Sequence, residues 1–424
     1  MNIRFYHARI LSMAGDPAPV WGEVWVEGNT ITYVGDGKPA DIRWDREINV
    51  GGNVLMPGFV NGHTHSAMTF LRSYADDLPL LEWLEKQVFP MEAKLTKEDV
   101  YHLSKLAIME YLTSGMTSNF DMYITPDTIV QASIDTGFRT VLCGGVNNFC
   151  QSLELIDKWY RQYNGYHERI SFVLGFSHEY TNSQENLEAV AAMAAKYKAP
   201  VFTHNSETAA EVQQCVHRTG MTPTAYLDSL GVYNYGGGGY HCVHMTEQDL
   251  DIFEKRGLSV ITNPGSNVKL ASGIAPISEM LRRGVNVGIG TDGPASNNCL
   301  DMFREMFLVT GLAKLRENDA AAVSAYDVLK MATVNGAKAM GLTRCGTIEP
   351  GMLADLILID LNQPNMQPIN NIAKNIVYSG SKQNVILTMV NGKILYENGE
   401  FHIGCDPQEV YASAQRITDR LKAE

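Results

Sequence analysis

The sequence predicts an α/β fold: a (β/α)8 barrel of the TIM type with a small β-sandwich domain built from both chain ends. Between residues 54 and 293, eight short apolar runs rich in β-formers alternate with amphipathic helical stretches. Runs that are apolar throughout suit strands buried on both faces, as a closed barrel requires. The 424 residues also exceed the size at which one core keeps growing, so a second, smaller unit is expected.

The apolar runs predict the barrel strands in chain order. They read VLMPGFV, MTSNFDMY, RTVLCGGV, ISFVLGFS, APVFTHN, GYHCVH, LSVITNP and VNVGIGTDG. The stretches between them, such as TKEDVYHLSKLAIMEYLTSG and QENLEAVAAMAAKYKA, place apolar residues at helical spacing. These stretches therefore predict the helices of the barrel.

The two chain ends have a different pattern. Apolar and polar residues alternate in EVWVEGNTITYVG near the start and in NVILTMVNGKILYENGEF near the end, as in antiparallel sheets. A charged helix, QEVYASAQRITDRLKAE, closes the chain. We predict one composite β domain from residues 1–56 and 346–424, packed against a catalytic barrel of residues 57–345.

Composition excludes several classes of partner. The net charge is −13 with no basic cluster, whereas binding to nucleic acid needs concentrated Lys and Arg. The seven cysteines show no CxxC spacing, which is typical of reduced thiols in the cytoplasm. The first residues lack the apolar segment of a signal peptide, and no stretch has the apolar length of a membrane span. We expect a cytoplasmic homo-oligomer acting on a small molecule, without nucleic acid or membrane partners.

The motif NGHTH places His63 and His65 at the end of the first barrel strand. Alternate residues of a strand point to the same side, so both imidazoles should face the barrel mouth, where active sites of such barrels lie. Imidazole pairs of this kind suit Zn or Fe. Taken alone, the motif is equally compatible with a chance HxH in a turn.

Two further strand ends carry ligand-type and acid/base residues. In FTHNSET, His204 ends the fifth run and Glu207 follows, which suits general acid/base work beside a metal; the alternative is a surface loop with a stray carboxylate. In GGGGYHCVHM, His241 and His244 cannot both face the mouth if the segment is extended. We select His241 as functional, interpret His244 as structural, and predict a flexible connection for the glycine run.

The eighth run ends in GTDGPASNN, with Asp292 before a glycine. Asp before Gly is often only turn chemistry, but at the end of a barrel strand it indicates catalysis. A ligand-type or acid/base residue at any one of these four strand ends could occur by chance. Its occurrence at all four is poorly explained by chance. Together they predict one metal-dependent site.

These motifs carry a family resemblance over essentially the whole chain. NGHTH, THNSE, YHCVH and GTDGPASNN, in this order, resemble the amidohydrolase superfamily, and IEPGMLADLILID is similar to its return into the small β domain. Within it, MTFLRSYADDLPLLEWLEKQVFPMEAKLT and NPGSNVKLASGIAPISEMLRRGVNVGIGTDGPASNN look like the 5-methylthioadenosine/S-adenosylhomocysteine deaminases and their adenosine-type relatives. The resemblance implies a barrel enzyme with one divalent metal, zinc first and iron as the alternative. The fourth run, ISFVLGFSHE, lacks the lysine that bridges two metals in binuclear members.

The resemblance also implies the residues of the site. Its metal ligands fall on His63, His65, His204 and Asp292, its catalytic residues on Glu207, His241 and Asp292, and its substrate-binding residues on Glu92, His178 and Glu207. Taken without the resemblance, Glu92 and His178 are interpreted as a solvated helix charge and a loop histidine. Their roles therefore depend on the resemblance alone.

The implied activity is hydrolytic deamination of adenine nucleosides, releasing ammonia and the inosine analogue. Adenosine, 5′-deoxyadenosine and methylthioadenosine are favoured over S-adenosylhomocysteine, because VLCGGVNNFCQSLELIDKWY offers no arginine for an amino-acid carboxylate. The alternatives are a related deaminase of guanine, a pterin, cytosine or a triazine, and a non-enzymatic barrel scaffold. The zinc deaminases with a PCxxC motif are excluded, because this chain has none.

Overall fold

The computed structural model describes residues 1–37, 42–74, 76–78, 80–147 and 151–424. Its strands are β1 Asn2–Ile10, β2 Val20–Glu27, β3 Thr30–Gly35, β4 Arg46–Asn49, β5 Val54–Pro57, β6 Phe59–Thr64, β7 Met116–Asp121, β8 Arg139–Cys143, β9 Ile170–His178, β10 Val201–Asn205, β11 Gly237–His241, β12 Ser259–Thr262, β13 Asn286–Ile289, β14 Leu356–Ile359, β15 Val385–Val390, β16 Lys393–Glu397 and β17 Glu400–Phe401. Its helices are α1 Leu80–Trp83, α2 Phe89–Glu92, α3 Lys97–Thr113, α4 Pro126–Thr136, α5 Leu153–Tyr163, α6 Gln184–Tyr197, α7 Ala209–Thr219, α8 Pro223–Ser229, α9 Glu247–Arg256, α10 Pro264–Lys269, α11 Ile277–Arg282, α12 Met302–Glu317, α13 Ala325–Lys330, α14 Gly336–Ala339, α15 Ile372–Lys374 and α16 Pro407–Ala423. Among the residues described, no helix combines the length and the apolar character needed to cross a membrane.

Strands β6 to β13 form the barrel. In the described part of the chain each pairs in parallel with the next, and each of the eight overlaps one of the apolar runs, in chain order. The predicted (β/α)8 architecture is therefore confirmed. The helical stretches between the runs form as well: α3 and α6 each begin after a hydroxyl residue, Thr96 or Ser183, that accepts a backbone N–H of the first turn.

The first apolar run serves two sheets. Its first half is β5, which pairs with β1 and β14, and its second half is β6, the first barrel strand. Gly58 separates them, and a Cβ at this position would lie 2.1 Å from Cγ2 of Thr117. The absence of a side chain lets the chain pass from one sheet to the other against β7.

The barrel is closed between β13 and β6 by side-chain hydrogen bonds and by tight backbone packing. The Asn61 amide donates to Thr291 Oγ1 at 2.8 Å and accepts from the backbone N–H of Thr291 at 2.9 Å. The backbone N–H of Asp292 donates to His63 O at 3.0 Å. A Cβ on Gly290 would lie 2.7 Å from the backbone nitrogen of His63. This seam fixes the first predicted ligand strand against the last.

The glycine run before His241 is a strand, and the predicted flexible connection is wrong. Residues 237–241 form β11 between β10 and β12. A Cβ at Gly237 would lie 1.9 Å from Val201 O, and one at Gly238 would lie 2.1 Å from Ser259 O. The glycines are there because neighbouring backbones approach too closely for any side chain.

The remaining strands form a second sheet from both chain ends. Within the described residues its order is β17-β16-β15-β14-β5-β1-β2-β3, with β4 beside β1. The sandwich-like unit is one continuous sheet that bends back on itself, because the backbone N–H of Ile31 donates to Met352 O and that of Ala354 donates to Asn29 O, both at 2.9 Å. The domain boundaries at residues 56/57 and 345/346 stay a prediction.

The C-terminal helix α16 lies against the barrel. The Arg420 guanidinium donates to Asp99 Oδ2 at 2.5 Å, at the start of α3, and Lys94 Nζ donates to Leu421 O at 2.8 Å. Val410, Ile417 and Leu421 of this helix are buried. The last segment of the chain thus covers the barrel helix that follows the first ligand strand.

A buried ion pair joins the two sheets at the opposite end of the barrel from His63. Arg139, at the start of β8, donates from Nε to Asp355 Oδ2 at 2.7 Å and from Nη2 to Oδ1 at 3.1 Å. The Asp355 carboxylate also accepts the backbone N–H of Asn391 at 2.6 Å. Both partners are almost fully buried, so removal of one leaves the other charge without compensation.

We predict that Arg139→Met lowers the free energy of unfolding by about 3–5 kcal/mol, because it leaves the buried Asp355 carboxylate without a compensating charge. Urea denaturation measures the loss. The double variant Arg139→Met/Asp355→Leu should recover much of it. Arg161→Met, which breaks an exposed pair with Asp157, should change the value by less than about 1 kcal/mol. A change of similar size in both single variants would contradict this account.

Candidate metal centre and active site

His63 and His65 converge at the end of the first barrel strand. Their ring centroids lie 4.8 Å apart, and their Nε2 atoms lie 3.6 Å and 3.3 Å from Oδ1 of Asp292. His65 Nδ1 contacts Met122 O at 2.5 Å, which leaves its Nε2 directed at the carboxylate. His63 is fully buried, and neither of its ring nitrogens has a hydrogen-bond partner among the described residues.

His204 adds a third imidazole from the end of β10. Its Nδ1 lies 2.8 Å from Ser177 O, so its Nε2 is the free ring nitrogen, and its centroid is 4.8 Å from that of His63. His178, at the end of β9, stacks on His204 with centroids 4.2 Å apart. Burial, together with the neighbouring imidazoles, lowers the pKa of His204 well below its usual range and that of His178 to about 3. Both rings are therefore neutral at physiological pH, the form that binds metals.

Asp292 meets the imidazoles from the last barrel strand. Its backbone has φ = +58°, a left-handed conformation that turns the side chain into the barrel mouth. The carboxylate accepts hydrogen bonds from Ser266 Oγ at 2.6 Å, Ser296 Oγ at 2.8 Å and the backbone N–H of Gly293 at 2.7 Å. Burial by itself raises the pKa of this group, but the adjacent imidazoles, His65 above all, outweigh it and hold the pKa well below its ordinary value.

His241 lies in the cluster, and His244 lies outside it. The choice between them rested on strand alternation, but the chain leaves the strand at His241, where φ is +67°, and at Cys242, where φ is +50°. Alternation therefore does not apply, and the turn directs His241 inward. Its Nδ1 contacts Asn267 Oδ1 at 2.8 Å, whereas His244 Nε2 contacts Ser272 O at 2.7 Å.

Glu207 faces the cluster from the loop after β10. Its Oε2 lies 3.8 Å from His241 Nε2, and its Oε1 accepts a hydrogen bond from Ser272 Oγ at 3.4 Å. Burial raises the pKa of Glu207, which suits a group that delivers a proton near neutral pH. The Glu211 carboxylate holds this loop, because it accepts the backbone N–H groups of Ser206 at 3.1 Å and Glu207 at 2.8 Å.

The donor atoms fit one divalent metal ion. The described residues supply two overlapping sets whose ligand atoms lie within 4.8 Å of one another: His63, His65 and Asp292, and His63, His204 and His241. The unpaired, buried ring nitrogens of His63 would be costly without a partner, and a cation in the cluster supplies one. Imidazoles with one carboxylate form a donor set that suits zinc and iron.

A cavity of about 470 Å³ opens above the cluster. Its floor includes His65, His204, Glu207, His241 and Asp292, and His178 contributes to the wall. Apolar residues dominate the remainder, from Leu80, Trp83, Leu84 and Phe89 on one side to Met122 and Leu270 on the other. Such a space suits a small molecule with one polar, reactive end.

Glu92 lies on the wall of this cavity, at the end of α2. Its Oε1 is buried without a hydrogen-bond partner in the described part of the chain, and burial raises the pKa of the carboxyl. The structure thus brings seven of the eight predicted site residues to one cavity, and the eighth, His63, lies behind its floor with its ring centroid 4.8 Å from those of His65 and His204. His178 and Glu92, the two that depended on resemblance alone, are among them.

Several orienting residues were not predicted. Ser266, Asn267 and Ser296 hold Asp292 and His241, while Ser272 and Glu211 hold Glu207 and its loop. The first three occur in NPGSNVK and GTDGPASNN, directly after barrel strands. Small hydroxyl and amide residues at such positions were the available signal.

Comparison with known proteins identifies the family to which the chain is similar. A profile of the amidohydrolase family matches residues 54–395. A 5-methylthioadenosine/S-adenosylhomocysteine deaminase of Syntrophomonas wolfei is 41% identical over 410 residues, covering 94% of each chain. One of Thermoanaerobacter pseudethanolicus is 38% identical over 412 residues, covering 94% of this chain and 95% of the relative. The crystal structure of an adenosine deaminase from Xanthomonas campestris with bound zinc has a TM-score of 0.94 at 33% identity, covering 100% of this chain and 99% of the other.

The chain belongs to the amidohydrolase family, and it is a metal-dependent hydrolase of the deaminase type. Within the family it is similar over nearly its full length to proteins named 5-methylthioadenosine/S-adenosylhomocysteine deaminase, so the predicted resemblance is confirmed. The scaffold alternative is wrong for this chain, because the family match and the full-length similarity to deaminases place it among the enzymes.

We predict that His65→Ala lowers the metal content of the purified protein at least about ten-fold, because it removes one donor from the cluster. Elemental analysis by mass spectrometry, with circular dichroism as a check on folding, measures this. His244→Ala is the matched control: it removes a partly buried imidazole that also follows a barrel strand but lies outside the cluster, with its Nε2 at Ser272 O. Equal metal loss in both variants would exclude a specific role for His65.

Proposed function

We propose that the protein deaminates adenine nucleosides by hydrolysis, converting them to the inosine analogue and ammonia. The observation that carries the proposal is Glu207: a buried carboxyl beside His241 and the metal donor set, on the floor of the cavity. A 6-aminopurine needs a proton on its ring nitrogen and a water molecule at C6, and the floor offers groups for both. The names of the similar deaminases support the same substrate class.

His63, His65, His204 and Asp292 hold the metal in this proposal. We infer zinc, as in the similar adenosine deaminase crystallised with zinc. The metal supplies the Lewis acidity that makes water a nucleophile near neutral pH.

Asp292 and His241 prepare the water. Asp292 is the carboxylate that accepts the water proton, and its hydrogen bonds from Ser266 and Ser296 fix its position without neutralising it. Asn267 Oδ1 accepts from Nδ1 of His241, so His241 Nε2 is directed towards Glu207 and Asp292, at 3.8 Å and 3.9 Å. The imidazole therefore holds and polarises the attacking oxygen between the two acids.

Glu207 activates the adenine ring of the substrate. Its carboxyl protonates the ring nitrogen next to C6, which makes C6 electrophilic and allows the water oxygen to add. Asp292 passes the first water proton to the departing amino group, so that ammonia leaves. The second water proton returns to the Glu207 carboxylate, and the oxygen remains as the 6-oxo group. The raised pKa of Glu207 keeps its proton available at a higher pH than an exposed glutamate would.

The rest of the nucleoside fits the cavity wall. Glu92 offers a carboxylate oxygen with no hydrogen-bond partner within the described residues, and a ribose diol supplies two donors. Beyond it, Leu80, Trp83 and Phe89 form an apolar surface for a 5′ substituent. Neither Lys nor Arg occurs among the described lining residues, and the three undescribed residues after β8, Asn148, Phe149 and Cys150, include no cation.

We predict that Glu207→Gln reduces kcat for adenosine about 10²–10⁴-fold, because Gln cannot deliver the proton. Ammonia release gives the rate, and metal content should stay near that of the wild type because Glu207 is not a donor. Glu188→Gln, an exposed change on α6, is the matched control and should leave kcat unchanged. Near-normal turnover in Glu207→Gln would refute the assignment.

We further predict that kcat/KM for methylthioadenosine exceeds that for S-adenosylhomocysteine at least about ten-fold, since an apolar wall cannot compensate the amino-acid charges. Parallel ammonia-release assays with adenosine as reference measure the ratio. Equal values for the two thioethers would overturn the preference for uncharged 5′ groups. Activity on guanine with none on adenosine would overturn the proposed function itself.

A further inference from the structure

His63 is held in the cluster differently from the other imidazoles. His65 and His204 each place Nδ1 at a backbone carbonyl oxygen, at 2.5 Å and 2.8 Å, and His241 places it 2.8 Å from Asn267 Oδ1. Neither ring nitrogen of the fully buried His63 has a hydrogen-bond partner within the described residues. Histidines that bind metals usually take their orientation from a hydrogen bond at the second ring nitrogen. A different kind of contact therefore has to orient His63.

The phenol ring of Tyr240 lies flat against the His63 imidazole. The two ring centroids are 3.8 Å apart, and the ring planes differ by only 21°. The three neighbouring imidazoles meet His63 edge-on instead, at interplanar angles of 84°, 82° and 74° for His65, His204 and His241. A flat ring at this distance covers one face of the imidazole, so it restricts tilting of the His63 plane.

The barrel interior fixes Tyr240 itself. The residue lies on β11, where its backbone pairs with His204 of β10 and Ile261 of β12. Its ring is fully buried, and its centroid lies 5.8 Å from those of both Phe120 and Phe202. Burial raises the pKa of the Tyr240 hydroxyl group well above its usual range, so the side chain is an uncharged phenol. Tyr240 thus offers His63 a rigid and neutral surface.

We propose that Tyr240 is a positioning residue of the metal centre: its ring sets the plane of His63 and so directs Nε2 of that imidazole at the ion. This inference rests on the proposed role of His63 as a metal ligand. His63 Nε2 lies 3.6 Å from Asp292 Oδ1, a separation that two ligands of one ion can adopt when each metal–ligand bond is about 2.0–2.2 Å long. A tilt of the His63 ring would change this separation.

The stacked ring also favours the metal-bound state electrostatically. An imidazole that binds a divalent ion carries part of its positive charge. The face of a phenol ring is negative, and it attracts a positive charge held over it within about 6 Å. This attraction is present only when the metal is bound, so Tyr240 contributes to metal affinity as well as to packing of the core.

The dissociation constant for zinc tests the proposal, measured on the metal-free full-length protein by competition with a chromophoric chelator. Tyr240→Leu should raise the constant at least about ten-fold, as loss of a contact that orients a ligand does. Tyr240→Phe keeps the ring and should bind zinc about as tightly as the wild type. Phe120→Leu is the matched control, because it removes a buried ring of the same interior, edge-on to Tyr240, and should leave zinc affinity unchanged.

Unfolding of the metal-free variants in urea controls for a general loss of packing, since Tyr240→Leu and Phe120→Leu each remove one buried aromatic ring. Tyr240→Met, whose flexible side chain refills more of the space, gives the same comparison if the leucine variant does not fold. Equal weakening of zinc binding in Tyr240→Leu and Phe120→Leu, or no weakening in either, would overturn the proposal.

His63→Ala separates the positioning role from the ligand assignment on which it rests. It should weaken zinc binding more than Tyr240→Leu does, because it removes the donor itself. A loss in His63→Ala with none in Tyr240→Leu would refute the positioning role alone, whereas normal zinc binding in His63→Ala would refute both the ligand and the role. Deaminase activity does not enter this measurement, so a wrong substrate assignment would leave its outcome unchanged.

Discussion

The buried charge of Asp292 is the constraint around which the barrel mouth is organised. A carboxylate at this depth is costly unless it is compensated, and here two serine hydroxyls, one backbone N–H and the imidazole of His65 surround it. The same environment keeps it ionised, which is the state that a metal requires. The seam between β13 and β6 then fixes this carboxylate against His63 and His65. The same contacts that close the barrel therefore bring the candidate donors together.

Backbone carbonyl groups define the chemistry of the histidines. Ser177 O and Met122 O accept from Nδ1 of His204 and His65, so in each ring the other nitrogen points at the cluster. His241 differs, because a side chain, Asn267, fixes its tautomer. Rings oriented by a backbone carbonyl, such as His65 and His204, suit the role of metal ligand that we propose for them. The ring of His241, oriented by an amide side chain, lies between two acids, where we propose that it holds the attacking water.

The sequence points to residues that the structure brings together, because each candidate donor belongs to a short motif at a strand end. It does not reveal what orients them: His65 and Met122 are 57 residues apart, and a carbonyl group carries no signal of residue type. The prediction of a flexible connection for the glycine run of β11 failed for a related reason. The close backbone approach that requires these glycines involves strands that are distant in sequence. The structure places His241 in the cluster, but the argument that selected it does not hold, because left-handed residues end the strand at that point and strand alternation does not apply.

The division between strands and loops explains why reaction class is easier to infer than substrate. Every donor and the proton-handling groups lie at or just after barrel strands, whose positions the closed sheet determines. The wall that we propose meets the 5′ end comes from α1, α2 and the π-helical segment Leu84–Val88 between them, which no strand constrains. Substitutions there can reshape the cavity while leaving Asp292 and its partners in place. Specificity can therefore change within this fold without loss of the metal centre. The wall, which is largely apolar and has no Lys or Arg among its described residues, is the feature that we propose selects the substrate.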